Sequence, residues 1–312
     1  MGSGLRCASA LLLLLAIGAC SDGFSPGHAP YGFDAEPRQS FRFEAHDQTD
    51  IDGVPVTVER GAGLVLEAEP AGDGRHELVV YLDRYVSRVE GIPGGSSEFT
   101  LSADGLSTRG PADPEPLVLG PDDPAPGGGR IGDVVSKPLG GWLVQADGAL
   151  EGTPWRSQQP LFGGIRVVDW LLLSLPVLPG SERSEWSGRR PLPALGQYVL
   201  GVEMPIEYQR VPSDGLALAR IRSNGFLTRQ GLELAVGFRG ALQIEHLGEA
   251  DLDELGRVVE ARVELRVRFE AESGSVVQSR HNTRLRCLSC ANRINPVPEA
   301  SDTEEHDGRF SP

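Results

Sequence analysis

Several things are scarce in this chain, and each scarcity excludes something. Lysine is reduced to Lys137 beside 28 arginines, a bias of coding composition that points to no function. Basic side chains number 29 against 44 acidic ones, a formal charge of −15, so neither nucleic acid nor an anionic headgroup layer suits the whole surface as a partner. No GxSxG nucleophile elbow, no GK[ST] phosphate loop and no HExxH pair occurs, which removes the commonest hydrolase, nucleotide-binding and zinc-protease signatures. Beyond the first twenty residues no apolar run approaches the roughly 20 residues that a transmembrane helix requires. What is present is a chain of 312 residues, 39% hydrophobic and 23% charged, enough to bury a core in one large or two ordinary domains. Its 40 glycines and 24 prolines make up about a fifth of the chain and favour strands joined by turns over a helical bundle.

The first twenty residues, MGSGLRCASALLLLLAIGAC, place one positive charge (Arg6) before an apolar stretch and end in small residues, the pattern of a secretory signal. Ile17-Gly18-Ala19-Cys20 resembles the lipobox of bacterial lipoproteins, in which small residues let a peptidase approach the backbone and the cysteine thiol takes the lipid. The resemblance implies cleavage after residue 19, lipid attachment at Cys20 and an envelope location. Ser21, in place of the Asp that favours inner-membrane retention, points to the outer membrane, although Asp22 follows it. Loss of Arg6, with no acid lost, takes the net charge from −15 to −16. Several acyl chains at about 0.8 kcal/mol per buried methylene would hold such a chain to a bilayer.

Residues 20–40 read as a tether and 291–312 as an acidic tail without the apolar content to fold. The clearest strand is Val259, Ala261, Val263, Leu265, Val267, Phe269 and Ala271 alternating with charged residues, followed by a Ser273-Gly274-Ser275 turn and a return strand to Cys287. Further strands are expected at 41–46, 54–59, 63–68, 77–89, 98–102, 197–209, 216–223 and 232–246. Helical patterns are limited to 165–174 and 251–258. The expected fold is mainly β, with long antiparallel strands in one or two curved sheets or half-barrel lobes and a few short helices. An early lobe (41–180) contains a Gly/Pro-rich loop at 107–133, where eleven of the twenty residues from Gly110 to Gly129 are Gly or Pro. A late lobe spans 181–290. Asp52-Gly53, Asp104-Gly105, Asp214-Gly215 and Asn224-Gly225 are expected turns. The lipobox, the strand pattern and the LPVLPG stretch before Trp186 are similar to uncharacterised lipoproteins of high-GC Gram-negative bacteria, and the pattern is compatible with envelope lipid-binding proteins built on a curved sheet around a helix.

Cys287 and Cys290 are the cysteines of the folded part, and outside the cytosol a disulfide is the favoured reading. In a straight strand their Cα atoms would stand about 10 Å apart, so the chain must turn at Leu288-Ser289. A redox pair and a metal site remain as alternatives, the first lacking a βαβ context and the second a second thiol pair. Gln48–Glu59 nearly spells a calcium loop but has Gln where Asp is needed, and reads as an Asp-Gly hairpin. Gly127 to Gly132 fits GxGxxG, follows no strand and is rejected as a dinucleotide site. Trp142, Trp155, Trp170 and Trp186 all lie between the two strand-rich blocks, 41–106 and 197–269, where core packing is favoured over a lipid contact. His281 falls on an apolar strand face as a buried residue or a site member. Glu245, His246, Glu249, Asp251, Asp253 and Glu254 read as a solvated acidic loop rather than a cation site. No cofactor or metal is expected. The sequence points to a noncatalytic, membrane-anchored binder of a hydrophobic ligand or an envelope protein, with an envelope hydrolase using His281 or His246 and dispersed carboxylates as the alternative.

Overall fold

The computed structural model describes residues 30–92, 95–113, 115–163, 165–179, 183–192, 202–212, 219–235 and 238–290. The expected signal, Cys20, the Asp214-Gly215 turn and the 291–312 tail lie outside them. In chain order the elements are β1 (Arg38–Ile51), β2 (Val54–Gly72), β3 (Arg75–Ile92), β4 (Gly95–Ser102), β5 (Gly105–Arg109), β6 (Leu117–Leu119), α1 (Ile131–Val135), β7 (Pro138–Val144), β8 (Leu150–Arg156), α2 (Val167–Ser174), β9 (Glu185–Pro191), β10 (Glu203–Val211), β11 (Ala219–Ala235), β12 (Phe238–Leu252), β13 (Val258–Ala271) and β14 (Val276–Cys287).

The strands form one antiparallel, curved, open sheet in the order β6-β5-β4-β3-β2-β1-β14-β13-β12-β11-β10-β9, as the patterning predicts in class. The early and late blocks share it, because β1 pairs with β14 over a register running from Phe41↔Cys287 to Ile51↔Val277. β3 serves two neighbours: its first half pairs with β7, which leads to β8, and its second half with β4. The change of partner coincides with a bulge at Asp83, where the register against β2 jumps from Gly63↔Arg84 to Leu64↔Leu82. An extra residue bends a strand and increases its local twist, so one β3 can feed two diverging wings.

One side of this sheet is apolar. Phe41, Phe43 and Ala45 of β1, Leu64 and Leu66 of β2, Val263, Leu265, Val267 and Phe269 of β13, and Leu285 of β14 are all buried. The eight residues of α2 are buried as well, and the helix packs on β14, β13, β9 and β7. A helix that is apolar on nearly every side needs cover on nearly every side, and its one charged residue, Asp169, is ion-paired to Arg156. Pro176 ends it, and Tyr31 Oη donates to the Pro176 carbonyl at 2.7 Å. Trp142 and Trp170 belong to this core, while Trp155 is exposed and its indole N–H donates to Glu77 at 2.6 Å.

Local readings differ from the fold at four places. The stretch expected as tether is described from Pro30 onward, and there Tyr31, Phe33 and Gln39 are buried. Residues 251–258 are not helical: Leu252 ends β12, and the Asp253 carboxylate accepts from the Leu255 and Arg257 N–H groups at 2.9 Å each, closing a tight turn. Asn224-Gly225 is not a turn but the middle of β11, where a Cβ on Gly225 would stand 2.8 Å from the Pro205 carbonyl oxygen. The glycine there permits close approach to β10. The expected strand 232–246 is divided, with β11 ending at Ala235 and pairing back onto Phe238 of β12. Asp52-Gly53 and Asp104-Gly105 do turn the chain, Asp52 and Gly53 at φ 51° and 86°.

Candidate functional site

Because side chains alternate across a strand, burying the apolar residues of β1 and β11–β14 places all their alternates on the opposite, polar side. Pairing then assembles rows across the strands. One row is Phe226, Glu245, Arg266, Arg280, Gln48 and Thr57, and the next is Thr228, Gln243, Arg268, Gln278, Asp50 and Pro55. These rows, apart from Thr228, line a hollow of about 650 Å³ together with Val56. A second hollow of about 810 Å³ lies further along the same strands, lined among others by Glu44, His46, Arg262, Glu264, Leu247 and Arg284. Both fall within the 300–1,000 Å³ typical of ligand pockets. Phe226 and Leu247 are 60% and 48% exposed, large apolar side chains on an otherwise polar surface.

The electrostatics of this surface are uneven. On β13 and β14 the outward positions hold six arginines (262, 266, 268, 280, 284 and 286) against three glutamates (260, 264 and 270). Arg262 lies directly opposite Arg284, Arg266 opposite Arg280, and Arg286 opposite Arg42 of β1. Like charges directly opposed destabilise a sheet, and two carboxylates relieve the repulsion. Glu260 sits between Arg262 (2.7 Å) and Arg284 (2.8 Å), and Glu264 between Arg266 (2.7 Å) and Arg280 (2.9 Å). Partial burial acts to raise both carboxyls, but the Arg284 and Arg262 guanidiniums outweigh it at Glu260, and Arg266 and Arg280 do so at Glu264, so both lie below their ordinary values. Even so, the two strands keep an excess of guanidiniums within an acidic chain. Next to them β12 adds Glu245, Glu249 and Asp251, of which Glu249 and Asp251 are held by Arg220.

The residues singled out as chemical candidates are distributed elsewhere. His281 is buried beneath Trp170, with ring centroids 5.0 Å apart, and its Nδ1 lies 3.0 Å from Asp47, whose other oxygen is ion-paired to Arg60. Burial first, and Arg60 second, push the His281 imidazole down to about 4. His246 is buried on β12, with Nε2 3.0 Å from the Ser223 hydroxyl, and burial pushes it down to about 4. Neither histidine lines either hollow. The 245–254 stretch is strand followed by a turn rather than an acidic loop, and Asp253 is ion-paired to Arg257 at 2.7 Å. Among the described residues no group of three or more His, Cys, Asp or Glu is placed to hold a metal. Around Asp52 the carboxylates serve the backbone: Asp50 accepts from the Gly53 N–H at 2.7 Å and Asp52 from the Val276 N–H at 2.8 Å. Gly127–Gly129 lead into the five-residue α1, too short to organise a phosphate site. Cys287 and Cys290 form a disulfide with Cα atoms 5.4 Å apart, and Leu288 donates its N–H to the Ser40 carbonyl, fixing the end of β14 to β1.

Sequence reasoning had the charged outward positions of β13 and β14 but not the opposition of their arginines, which depends on register. It missed Phe226 because Asn224-Gly225 reads as a turn, and only the unusually apolar Phe-Leu pair after it signals a strand that continues.

No known protein family matches the chain, and no curated protein matches it. Among solved structures it is similar to lipovitellin, described for its lipid–protein interactions, at TM-score 0.39 and 8% identity over 85% of this chain. The chain spans about a quarter of the length of that protein (25%). A DUF1329 family protein from Desulfovibrio piger gives TM-score 0.19 and 12% identity, covering 83% of this chain and 94% of the other. The β domain of the Bordetella autotransporter BrkA gives 0.27 and 11%, covering 80% and 99%. Similarities this distant do not extend to function.

Proposed function

We propose that this protein is an envelope lipoprotein, anchored through Cys20 in the outer membrane, that acts without catalysis by binding a protein partner on the polar side of its sheet. The observation that carries this reading is where the free volume lies. All eight residues of α2 are buried, and the hollow at its C-terminal end, lined by Leu173, Ser174, Pro176, Tyr208, Glu249 and Arg262 among others, holds about 10 Å³, room for at most one water. On the polar side of the same strands the hollows measure about 650 and 810 Å³, next to exposed Phe226 and Leu247. A hydrophobic ligand would need the former space, and a partner surface fits the latter. The lipobox resemblance at residues 17–20 supports the anchor.

The reading is tested by placing a photo-crosslinking amino acid at Phe226, at Leu247 and, as a control, at Val118 on the far edge strand β6, in the full chain expressed in its native envelope. A discrete adduct from the first two positions and none from Val118 is expected. Absence of adducts at Phe226 and Leu247 refutes the binding face. In parallel, labelled palmitate should mark the wild-type chain and not Cys20→Ser, and an unlabelled wild type refutes the anchor.

A further inference from the structure

We propose that residues 30–37 are a strap that keeps α2 seated on the apolar side of the sheet, with Tyr31 as its latch, so that drawing this segment out opens the side that the helix now closes. Three features of the segment lead there. The first is the socket. The Tyr31 ring is buried where the end of α2, the turn between β7 and β8, and β9 meet. Its hydroxyl donates to the Pro176 carbonyl at 2.7 Å and accepts from Arg190 at 3.3 Å, while Arg190 also donates to the carbonyls of Leu175 at 2.9 Å and Gly148 at 3.0 Å. Carbonyls at the end of a helix have no partner within it, and here Tyr31 and Arg190 supply partners for the two that follow α2. Gly148 makes room for the latch. At φ 73° it is a position for glycine, and a Cβ there would stand 2.3 Å from the Tyr31 oxygen.

The second feature is strain. Tyr31 has φ 56° and ψ 32°, the left-handed region that a bulky side chain rarely adopts. Such a conformation persists where its surroundings impose it, and clamps and switches are where it recurs. The socket, and not the backbone preference of the strap, therefore holds the latched state. The third feature is the second fastening. Glu36 accepts from Arg257 at 2.7 Å, and Arg257 is ion-paired in turn to Asp253 in the turn between β12 and β13. Beside it the Pro37 carbonyl accepts from the Ala68 N–H at 3.0 Å, and Gln39 Nε2 donates back to the Tyr31 carbonyl at 3.1 Å. The segment is thus pinned at one end to the body of the sheet and at the other to the end of α2. With eight residues, α2 is too short to persist by its own backbone bonds, so its seat depends on what packs on it and what fastens its end. In the anchored chain proposed above, on which this one step rests, a pull from Cys20 reaches the strap before β1.

The test is hydrogen exchange on the full chain, read by mass spectrometry at the amides of 171–175 in α2 and of 263–269 in β13. Tyr31→Phe keeps the ring and removes the hydroxyl, and should speed exchange in α2 about tenfold, the equivalent of one net hydrogen bond. Tyr31→Ala empties the socket and should speed it further, and this variant alone should bind Nile red, which the wild type leaves in solution. Exchange in β13 should not change in either variant. Unchanged exchange at 171–175 in Tyr31→Phe overturns the proposal, and so does an equal acceleration in β13, which would make Tyr31 an ordinary contributor to overall stability. Should Tyr31→Ala fail to fold, Tyr31→Phe decides the matter. The crosslinking and palmitate experiments do not involve the strap, so the binding face and the anchor stand or fall separately from it.

Discussion

His246 gives the sharpest test of the interior, because one group and one cause control it. It is 1% exposed on the inward side of β12, its Nε2 faces Ser223, and burial lowers its imidazole from 6.5 to about 4. In the unfolded chain the same ring titrates near 6.5, so between pH 6.5 and 4 the unfolded state binds a proton that the folded state does not. Stability contributed by this group is therefore complete above pH 6.5 and is lost as the pH falls toward 4. The full shift corresponds to about 3.4 kcal/mol, and from pH 7 to pH 5 the loss is about 2 kcal/mol. His281 moves in the same direction, so the wild-type curve alone would mix two histidines. The difference between wild type and His246→Leu isolates one of them. Urea unfolding followed by far-ultraviolet circular dichroism at pH 7, 6 and 5 should show the wild type losing about 2 kcal/mol relative to the variant across that range. A difference that stays constant with pH would mean that His246 is hydrated or protonated in the folded chain, and the account of a dry β12 interior would be refuted.

Two further outcomes follow from the same interior. Arg190 is 1% exposed and donates to the carbonyls of Gly148 at 3.0 Å and Leu175 at 2.9 Å and to Tyr31 Oη at 3.3 Å; Arg190→Ala strands these acceptors and should cost about 3 kcal/mol, measured by thermal unfolding, with Arg190→Met equally damaging if hydrogen bonding rather than volume is what counts. The Cys287–Cys290 bridge closes a loop of only a few residues, so Cys287→Ser with Cys290→Ser should cost no more than about 2 kcal/mol by chain entropy, and a much larger loss of melting temperature would show that the bridge positions β14 against β1.

How far the sequence could be read depends on whether a signal is local. β13 and β14 were legible because thirteen residues alternate without interruption before a Ser-Gly-Ser turn, and α2 because an apolar run ends at Pro176. The 251–258 stretch misled because Leu252, Leu255 and Val258 fall at helical spacing, while the decisive contact, the Asp253 carboxylate on two backbone N–H groups, leaves no periodic trace. Asn224-Gly225 misled for the reverse reason: a strong local turn signal was overridden by the close approach of β10. The charged alternates of β13 are legible in the sequence as a polar face. Its three opposed arginine pairs are not, since register is set by which apolar residues reach the core and cannot be read from either strand alone.

The proposal of a protein partner over an apolar ligand, the two classes that the sequence left open, rests on the same geometry. For an apolar ligand to lie on the inward side, α2 would have to leave it, exposing Trp170, Leu171, Leu172 and Leu173, each 4% exposed or less. At about 1.5–3 kcal/mol per large side chain, that displacement costs roughly 6–12 kcal/mol, comparable to the whole binding free energy of a micromolar to nanomolar ligand. The Asp169–Arg156 ion pair would be broken as well. On the outward side nothing must move. Phe226 and Leu247 already face solvent, the arginines are already fixed by Glu260 and Glu264, and a partner meets a surface whose ordering cost was met when the sheet folded. Affinity at such a surface depends on charge complementarity, so it should weaken with salt, whereas binding by apolar burial on the other side would not.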